Sequence, residues 1–403
     1  MNSFKINKIE YIIDKTWESN YFVGIRIVDN KYHVSFPIGY NLKENMSEDY
    51  YRKVLIDLYK TTNLAKVDSI KYGNDNYVSD IPINSYLWIL SDYFSNGLYK
   101  YKEKLYKLGS NGKINWKRTF KNKFYVKDNA PFYLDTVIEV NKSEENTITE
   151  LQRYCINKSI DMLIFLGTFK KVRCNLDDKE VNKRKKYYIG LIEKEYRNTN
   201  NDKKQQLLLN IKNIINDNTS NNSSVRAFGT NNYAYVWEKM IRRLFGNVSD
   251  MREFFPFAYW YINGEKVKSS NMIEDTIYVD KNNKRIYIID SKYYTYGDSK
   301  NTSGLPATST IHKQVVYAEH VNNMDKYKEY EIYNIFVVPS NTNSFVEYEG
   351  FAMMDHIDER DNKSYEKIHL CLININSVID KYLKYETNSI DKLFNVLIEK
   401  SII

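Results

Sequence analysis

The chain's 403 residues are enough for two or three domains. A 42% hydrophobic share fits a soluble globular protein, and 59 Lys+Arg against 51 Asp+Glu leave a modest excess of +8, compatible with a polyanionic partner. Cys155, Cys174 and Cys371 are scattered without CxxC spacing, which speaks against a disulfide framework or a zinc knuckle. Apolar runs such as MLIFLG fall far short of a membrane span, and MNSFKINKIEYIID lacks the apolar core of a signal peptide, so no membrane association and a cytoplasmic location are expected.

In chain order, YIID, YFVGIRIV and KYHVSFPIGY read as short strands separated by polar turns. SEDYYRKVLIDLYKTT is helical, as is NSYLWILSDYFSNGLYK, whose apolar residues keep helical spacing up to a glycine stop. NGKINWKRTF is a turn leading into an amphipathic piece, and ITELQRYCINKSIDMLIFLGTF a strong helix. KKVRCNLDDKEVNKRKKYY (170–188) is dense in charge and reads as a solvated helix face or a phosphate-contacting stretch. NIINDNTSNNSS (213–224) reads as a linker or loop, placing a domain boundary near residue 225. The expected domains are therefore 1–145, β-rich and accessory, 146–224, a helical connector, and 225–403.

Beyond 225, YAYVWEKMIRRLFG is helical, and NMIEDTIYV and KRIYIIDSKYY are strands. TSTIHKQVVYAEHVNNM is a helix, EIYNIFVVP a strand, VEYEGFAMMD and KIHLCLINI strands or edges, and two helices close the chain. A helix, an antiparallel strand pair, a crossover helix and a further apolar strand describe a mixed sheet flanked by helices, α/β in this part and α+β overall.

IYVDKNNKRIYIIDSKYY (277–294) carries the chemistry. Side chains two apart share a strand face, so Ile286, Ile288, Asp290 and Lys292 lie on one side, apolar first and then acid and base. The polar turn DKNNK makes a hairpin that can bring Asp275 beside Asp290, within the ~5 Å of cross-strand neighbours. Two carboxylates so close repel unless a cation sits between them, and a hard divalent ion such as Mg²⁺ suits oxygen ligands. Lys292 would then orient, or help deprotonate, a water attacking a phosphodiester. The competing reading is a surface ion pair worth under ~1 kcal/mol. Asp298-Ser299-Lys300, an identical triplet in a turn-forming context, serves as an internal control. Glu238, beside Trp237, calls for a partner that the site could supply, the alternative being Arg242 at i+4. Gln314 lies one helical turn before Tyr317 and could reach back to the site; the alternative is solvation.

The order helix acid, strand acid, acid-x-lysine and polar helix resembles the PD-(D/E)XK nuclease superfamily. Glu274-Asp275 stands where that family has proline-aspartate, and Asp290-Ser291-Lys292 is its acid-x-lysine. NGLYKYKEKLYKLGSNGKINWKRTF, YAYVWEKM, IYIIDSKYY and HKQVVYAEHV look like the LlaJI-type restriction endonucleases, which are similar to McrC, the nuclease subunit of McrBC-type systems. The resemblance implies a C-terminal nuclease domain that cuts double-stranded DNA with Mg²⁺, Mn²⁺ being a substitute. It makes Asp275, Asp290, Lys292, Glu238 and Gln314 catalytic. Asp275, Asp290, Glu238 and the Ser291 backbone carbonyl would hold the metal. The implied partner is a separate McrB-like AAA+ NTPase, because the chain contains no GxxxxGK[ST]. One site per chain implies dimerisation or two converging complexes for double-strand cleavage. A stand-alone nuclease and a non-enzymatic DNA-binding assembly subunit remain open alternatives.

Overall fold

The computed structural model describes residues 3–14, 22–29, 31–72, 77–79, 81–127, 130–133, 135–167, 169–217, 225–269, 275–358, 363–387, 389–400 and 402–403. Its chain separates into two compact units, one of residues 1–80 with 225–403, the other of residues 81–224. This corrects the expected division at 145 and 224. The first 80 residues share a unit with the C-terminal domain, and the remainder of the expected accessory region shares one with the connector. The expected boundary near 225 is the point at which the chain returns to the first unit.

In the first unit, strands β1 (Ser3–Ile6), β2 (Ile9–Asp14), β3 (Val23–Val28) and β4 (Lys31–Ser35) lead into helix α1 (Glu48–Tyr72) and β5 (Tyr77–Ser79). The chain re-enters as β6 (Val225–Thr230), which pairs antiparallel with both β3 and β5 and completes a six-stranded sheet, β1-β2-β4-β3-β6-β5. Helix α2 (Tyr233–Phe245) follows, its first turn capped by the Asn232 side chain, which accepts from the Tyr235 N–H. Val236, Trp237, Met240, Ile241 and Leu244 recur at three-and-four spacing and are all buried.

A ribbon of β7 (Tyr259–Ile262) and β8 (Glu265–Lys268) precedes the second large sheet. That sheet contains β9 (Thr276–Asp280), β10 (Arg285–Ser291), β11 (Glu331–Ser340), β12 (Val346–Ala352) and β13 (Ile368–Asn374), in the order β9-β10-β11-β13-β12. β9 and β10 form the expected hairpin. Asp280 closes its turn by accepting the N–H groups of Asn282 and Asn283. Helix α3 (Thr308–Asn322) carries the chain from β10 to the parallel β11. Helices α4 (Ile375–Leu383) and α5 (Ile390–Glu399) close the unit. The centre of this sheet is buried on both faces, which is why β10 and β11 read as nearly continuous runs of Ile, Tyr, Phe and Val. On one face Ile286 and Ile288 join Ile277, Tyr317, Ala318 and Val321 in a core cluster. On the other, Tyr287 stacks on Tyr333 and packs against Phe394 of α5.

The N-terminal segment is anchored on the same unit. The Ile38 N–H donates to the Tyr293 hydroxyl (2.8 Å), and Asn376 of α4 exchanges two hydrogen bonds with the Asn41 backbone. Gly297, in a helical turn just after β10, lies so close to β11 that a Cβ there would sit 2.1 Å from the Pro339 carbonyl oxygen. Gly297→Ala is therefore expected to cost about 1–3 kcal/mol, read as a lowered denaturant midpoint at unchanged m-value. A midpoint equal to that of the unaltered protein would show that this turn can retreat from β11.

The second unit packs helices Ile83–Asn96, Thr147–Met162, Lys185–Asn198 and Asp202–Asp217, with a three-stranded sheet of Tyr101–Leu108, Val137–Glu144 and Lys113–Ile114. The Asn146 side chain and Thr149 form a capping box at the predicted 148 helix. The charge-dense 170–188 stretch contributes the helix Asp178–Lys183 and opens the next. The expected loop at 213–224 is helical as far as Asp217, because Ile211, Ile214 and Ile215 are buried at helical spacing; residues 218–224 lie outside the described residues.

Among the described residues, no helix is long and apolar enough to cross a membrane.

Candidate active site

The face of β10 that carries Ile286 and Ile288 into the core continues with Asp290 and then Lys292 at the sheet margin. The β9–β10 register pairs Thr276 with Ile289, and one further step sets Asp275 opposite Asp290. Two interactions fix this corner. The Ser291 N–H donates to Asp275 Oδ2 (2.8 Å), and Lys292 Nζ lies 2.5 Å from Asp290 Oδ2. The Lys292 and Asp290 side chains are only 20% and 13% exposed, so the pair is largely removed from solvent, unlike a surface bridge. Backbone bonding continues past the strand, with the Lys292 N–H donating to the Val337 carbonyl of β11 (2.9 Å).

Burial and the neighbouring charges of Asp290 and Glu238 push the Asp275 carboxyl up to about 8, reinforced by a hydrogen bond between the two aspartates. A carboxyl buried beside two other acids keeps its proton because both burial and like charge disfavour its ionised form. Burial also raises the Glu238 carboxyl, and the charge of Asp290 adds to it, while Lys292 and Arg242 oppose the rise. Burial works to lower Lys292, but the charge of Asp290, with that of Asp275 behind it, outweighs burial and holds the ammonium above the ordinary lysine range.

The structure thus brings Asp275, Asp290, Lys292 and Glu238 within electrostatic reach of one another. The i+4 partner weighed for Glu238, Arg242, instead donates its Nε to the Asp275 backbone carbonyl (2.7 Å), tying α2 to the start of β9. Gln314 is buried rather than solvated. Its Nε2 donates to the Ile288 carbonyl (3.3 Å) and to Asn334 Oδ1 (3.2 Å), two residues before Asp290 along the strand. Ser291 ends β10 between the two charged residues, while Glu274 lies outside the described residues. The control triplet falls elsewhere. Lys300 pairs with Glu349 (2.7 Å), and Asp298 accepts from Asn341 (3.2 Å).

Sequence reasoning missed the role of Tyr293. It follows Lys292 directly, packs against the Tyr233 ring at 5.7 Å, and receives the Ile38 N–H, which fixes the backbone just beyond the lysine. The local run of aromatics after Lys292 was its only visible signal.

Among the described residues, no three His, Cys, Asp or Glu side chains form a ready-made metal site. The donor chemistry nonetheless fits a hard divalent cation. Two apposed carboxyls with a third acid in their field outnumber the one ammonium beside them, and an ion with oxygen preference would offset the like-charge repulsion that adds to burial in raising the Asp275 carboxyl.

Comparison with known proteins bears on this arrangement. The type II restriction enzyme BsuMI component YdjA of Bacillus subtilis (strain 168) is 26% identical over 319 residues, which are 75% of this chain and 66% of that protein, slightly under two thirds of its length. A chain in a solved assembly of Thermococcus gammatolerans McrB AAA+ hexamers with bound McrC aligns over 90% of this chain and 82% of its own, at 11% identity and a TM-score of 0.33. The sequence model that describes the LlaJI restriction endonuclease matches residues 22–386, from β3 to the end of α4 and through every residue of the acid–lysine corner. A match over that span, with an acid pair and a lysine gathered at one sheet margin inside it, places the chain in the LlaJI restriction endonuclease family.

Proposed function

We propose that this chain is a Mg²⁺-dependent DNA endonuclease of a prokaryotic restriction system, hydrolysing phosphodiester bonds at the Asp275–Asp290–Lys292 corner. The observation that carries the reading is the convergence of these residues, from two strands, at one end of an otherwise apolar sheet. Asp275, Asp290, Glu238 and the Ser291 carbonyl are the residues that would hold the metal, with Mn²⁺ as a substitute. Once bound, the ion would supply Lewis-acid stabilisation of charge on the phosphate.

The chain's own groups divide the remaining work. Lys292, held protonated by Asp290, is better suited to orienting the attacking water and donating to a phosphoryl oxygen than to removing a proton. Gln314 acts as a positioning residue, pinning Ile288 so that Asp290 keeps its direction. Tyr293 does the same for Lys292. For partners, the reading takes double-stranded DNA and, from the family resemblance, a separate McrB-like AAA+ NTPase. Double-strand cleavage would need two copies, since each chain offers one such corner.

Incubating the purified chain with supercoiled DNA tests this, with and without Mg²⁺, a nucleotide and any McrB-like AAA+ protein found in the same genome. Cleavage is expected only with the divalent ion, and to rise at least ~10-fold with motor and nucleotide. Metal-dependent cutting indifferent to both would make the protein a stand-alone nuclease. DNA binding without cutting under every combination would leave an assembly subunit and end the enzymatic reading.

A further inference from the structure

Among the described residues, the ribbon of β7 and β8 has no covering layer. All eight of its strand residues are exposed, among them Tyr259, Trp260 (63%), Tyr261 (74%), Ile262 and Val267. A two-stranded ribbon with neither face packed is marginal by itself, and exposed aromatic surface of this extent marks an interaction site. Asn263 and Gly264 close its turn with φ of +51° and +83°, the left-handed pair that a tight two-residue hairpin requires.

The register sorts the side chains. Tyr259 pairs with Lys268 and Tyr261 with Lys266, so these four share one face; Trp260, Val267, Ile262 and Glu265 share the other. On the first face Lys266 Nζ lies 3.8 Å from the Tyr259 ring centre, and Lys268 Nζ lies 3.7 Å from that of Phe257. Each ammonium is therefore held over a ring, with its remaining donors free to face outward. This face carries two positive charges and no acid, since the single acid of the ribbon, Glu265, points the other way. A surface meant to be buried against protein is usually depleted in lysine. Lysines and tyrosine hydroxyls on one acid-free face are donors that suit the phosphate oxygens of a duplex.

Position along the chain supports the same partner. Lys268 and Asp275 are seven positions apart in the chain, a reach of at most ~25 Å, or about seven base pairs of duplex.

We propose that the Tyr259–Tyr261–Lys266–Lys268 face is a DNA-holding arm that grips the phosphate backbone of the duplex flanking the cut. This rests on the nuclease reading above and deepens it by naming a substrate-positioning surface outside the metal corner.

The test measures binding of a fluorescent 30-base-pair duplex to the full chain in EDTA across a salt series, so that no cleavage is needed. The double variant Lys266→Gln, Lys268→Gln is expected to bind roughly 30-fold more weakly at 0.15 M salt, with the log–log salt slope reduced by about 1.8, the value for two lost phosphate contacts. The double Arg variant should restore both. An unchanged affinity and slope in the Gln variant overturns the arm. So does weaker binding at unchanged slope, which would mark a merely structural loss. Loss of self-association with DNA binding intact would assign the face to a second copy of the chain and equally overturn it. A protein that fails to cut but shows the expected slope change loses the nuclease reading alone; one that cuts while the two lysines prove irrelevant loses the arm alone.

Discussion

A Lys292→Ala protein is expected to lose DNA cleavage in Mg²⁺ by ~10²–10³-fold, the scale seen when a preorganised donor to a transition-state oxyanion is removed. Its affinity for duplex DNA in EDTA should stay within about twofold, because the ammonium is occupied by Asp290 and sits largely out of solvent. The same substitution leaves the Asp290 carboxylate without its partner, so the metal-free variant should also melt at a lower temperature than the unaltered protein. Mg²⁺ should restore much of that difference, since a divalent ion can take over the charge balance. Single-turnover cleavage, duplex binding and thermal midpoints with and without Mg²⁺ separate these effects. Undiminished cutting by this variant would remove the lysine from the mechanism altogether.

The second large effect concerns the Asp275 carboxyl. In the folded chain it keeps its proton up to about 8, whereas an unfolded aspartate loses it near ~3.9. Between those limits the folded state binds more protons than the unfolded one, so the stability contributed by this group is complete below about pH 4 and is lost as pH rises through about 8. The metal-free protein should therefore lose on the order of 3–4 kcal/mol between pH 5 and pH 8 from this corner. Mg²⁺ binding should reverse the trend, releasing the Asp275 proton and stabilising the protein more at pH 8 than at pH 6. Asp275→Asn should flatten the pH slope and abolish the metal response together. Chemical denaturation at several pH values, with EDTA or Mg²⁺, measures both. A variant that keeps the full metal response would exclude Asp275 as a ligand.

Much of the corner is legible in the amino-acid sequence. Alternation along β10 places Ile286, Ile288, Asp290 and Lys292 on one face, and the hairpin turn at 280–284 brings Asp275 opposite Asp290. Both follow from local geometry, because a strand has period two and a short turn sets the register. Gln314 is harder to place. Helical periodicity puts it one turn before Tyr317, but its partners are a strand carbonyl and Asn334, contacts made across layers that no local pattern encodes. The ribbon at 259–268 escapes a reading by pattern, since its alternating Tyr, Trp and Lys point to no buried face.

By itself, the sequence determined most of the elements from α2 to α5, which of their faces are apolar, the register of the Asp275–Asp290 hairpin and membership of the family. Tertiary structure alone decided that residues 1–80 and 225–403 make one unit, with β6 entering between β3 and β5. Strand pairing is made by backbone N–H and C=O groups that are alike at every residue, so a strand carries little in its side chains to name a partner nearly 200 residues away. It also decided the charge states of Asp275 and Lys292, because these depend on burial and on acids brought in by α2 and β10 rather than on neighbours in the chain.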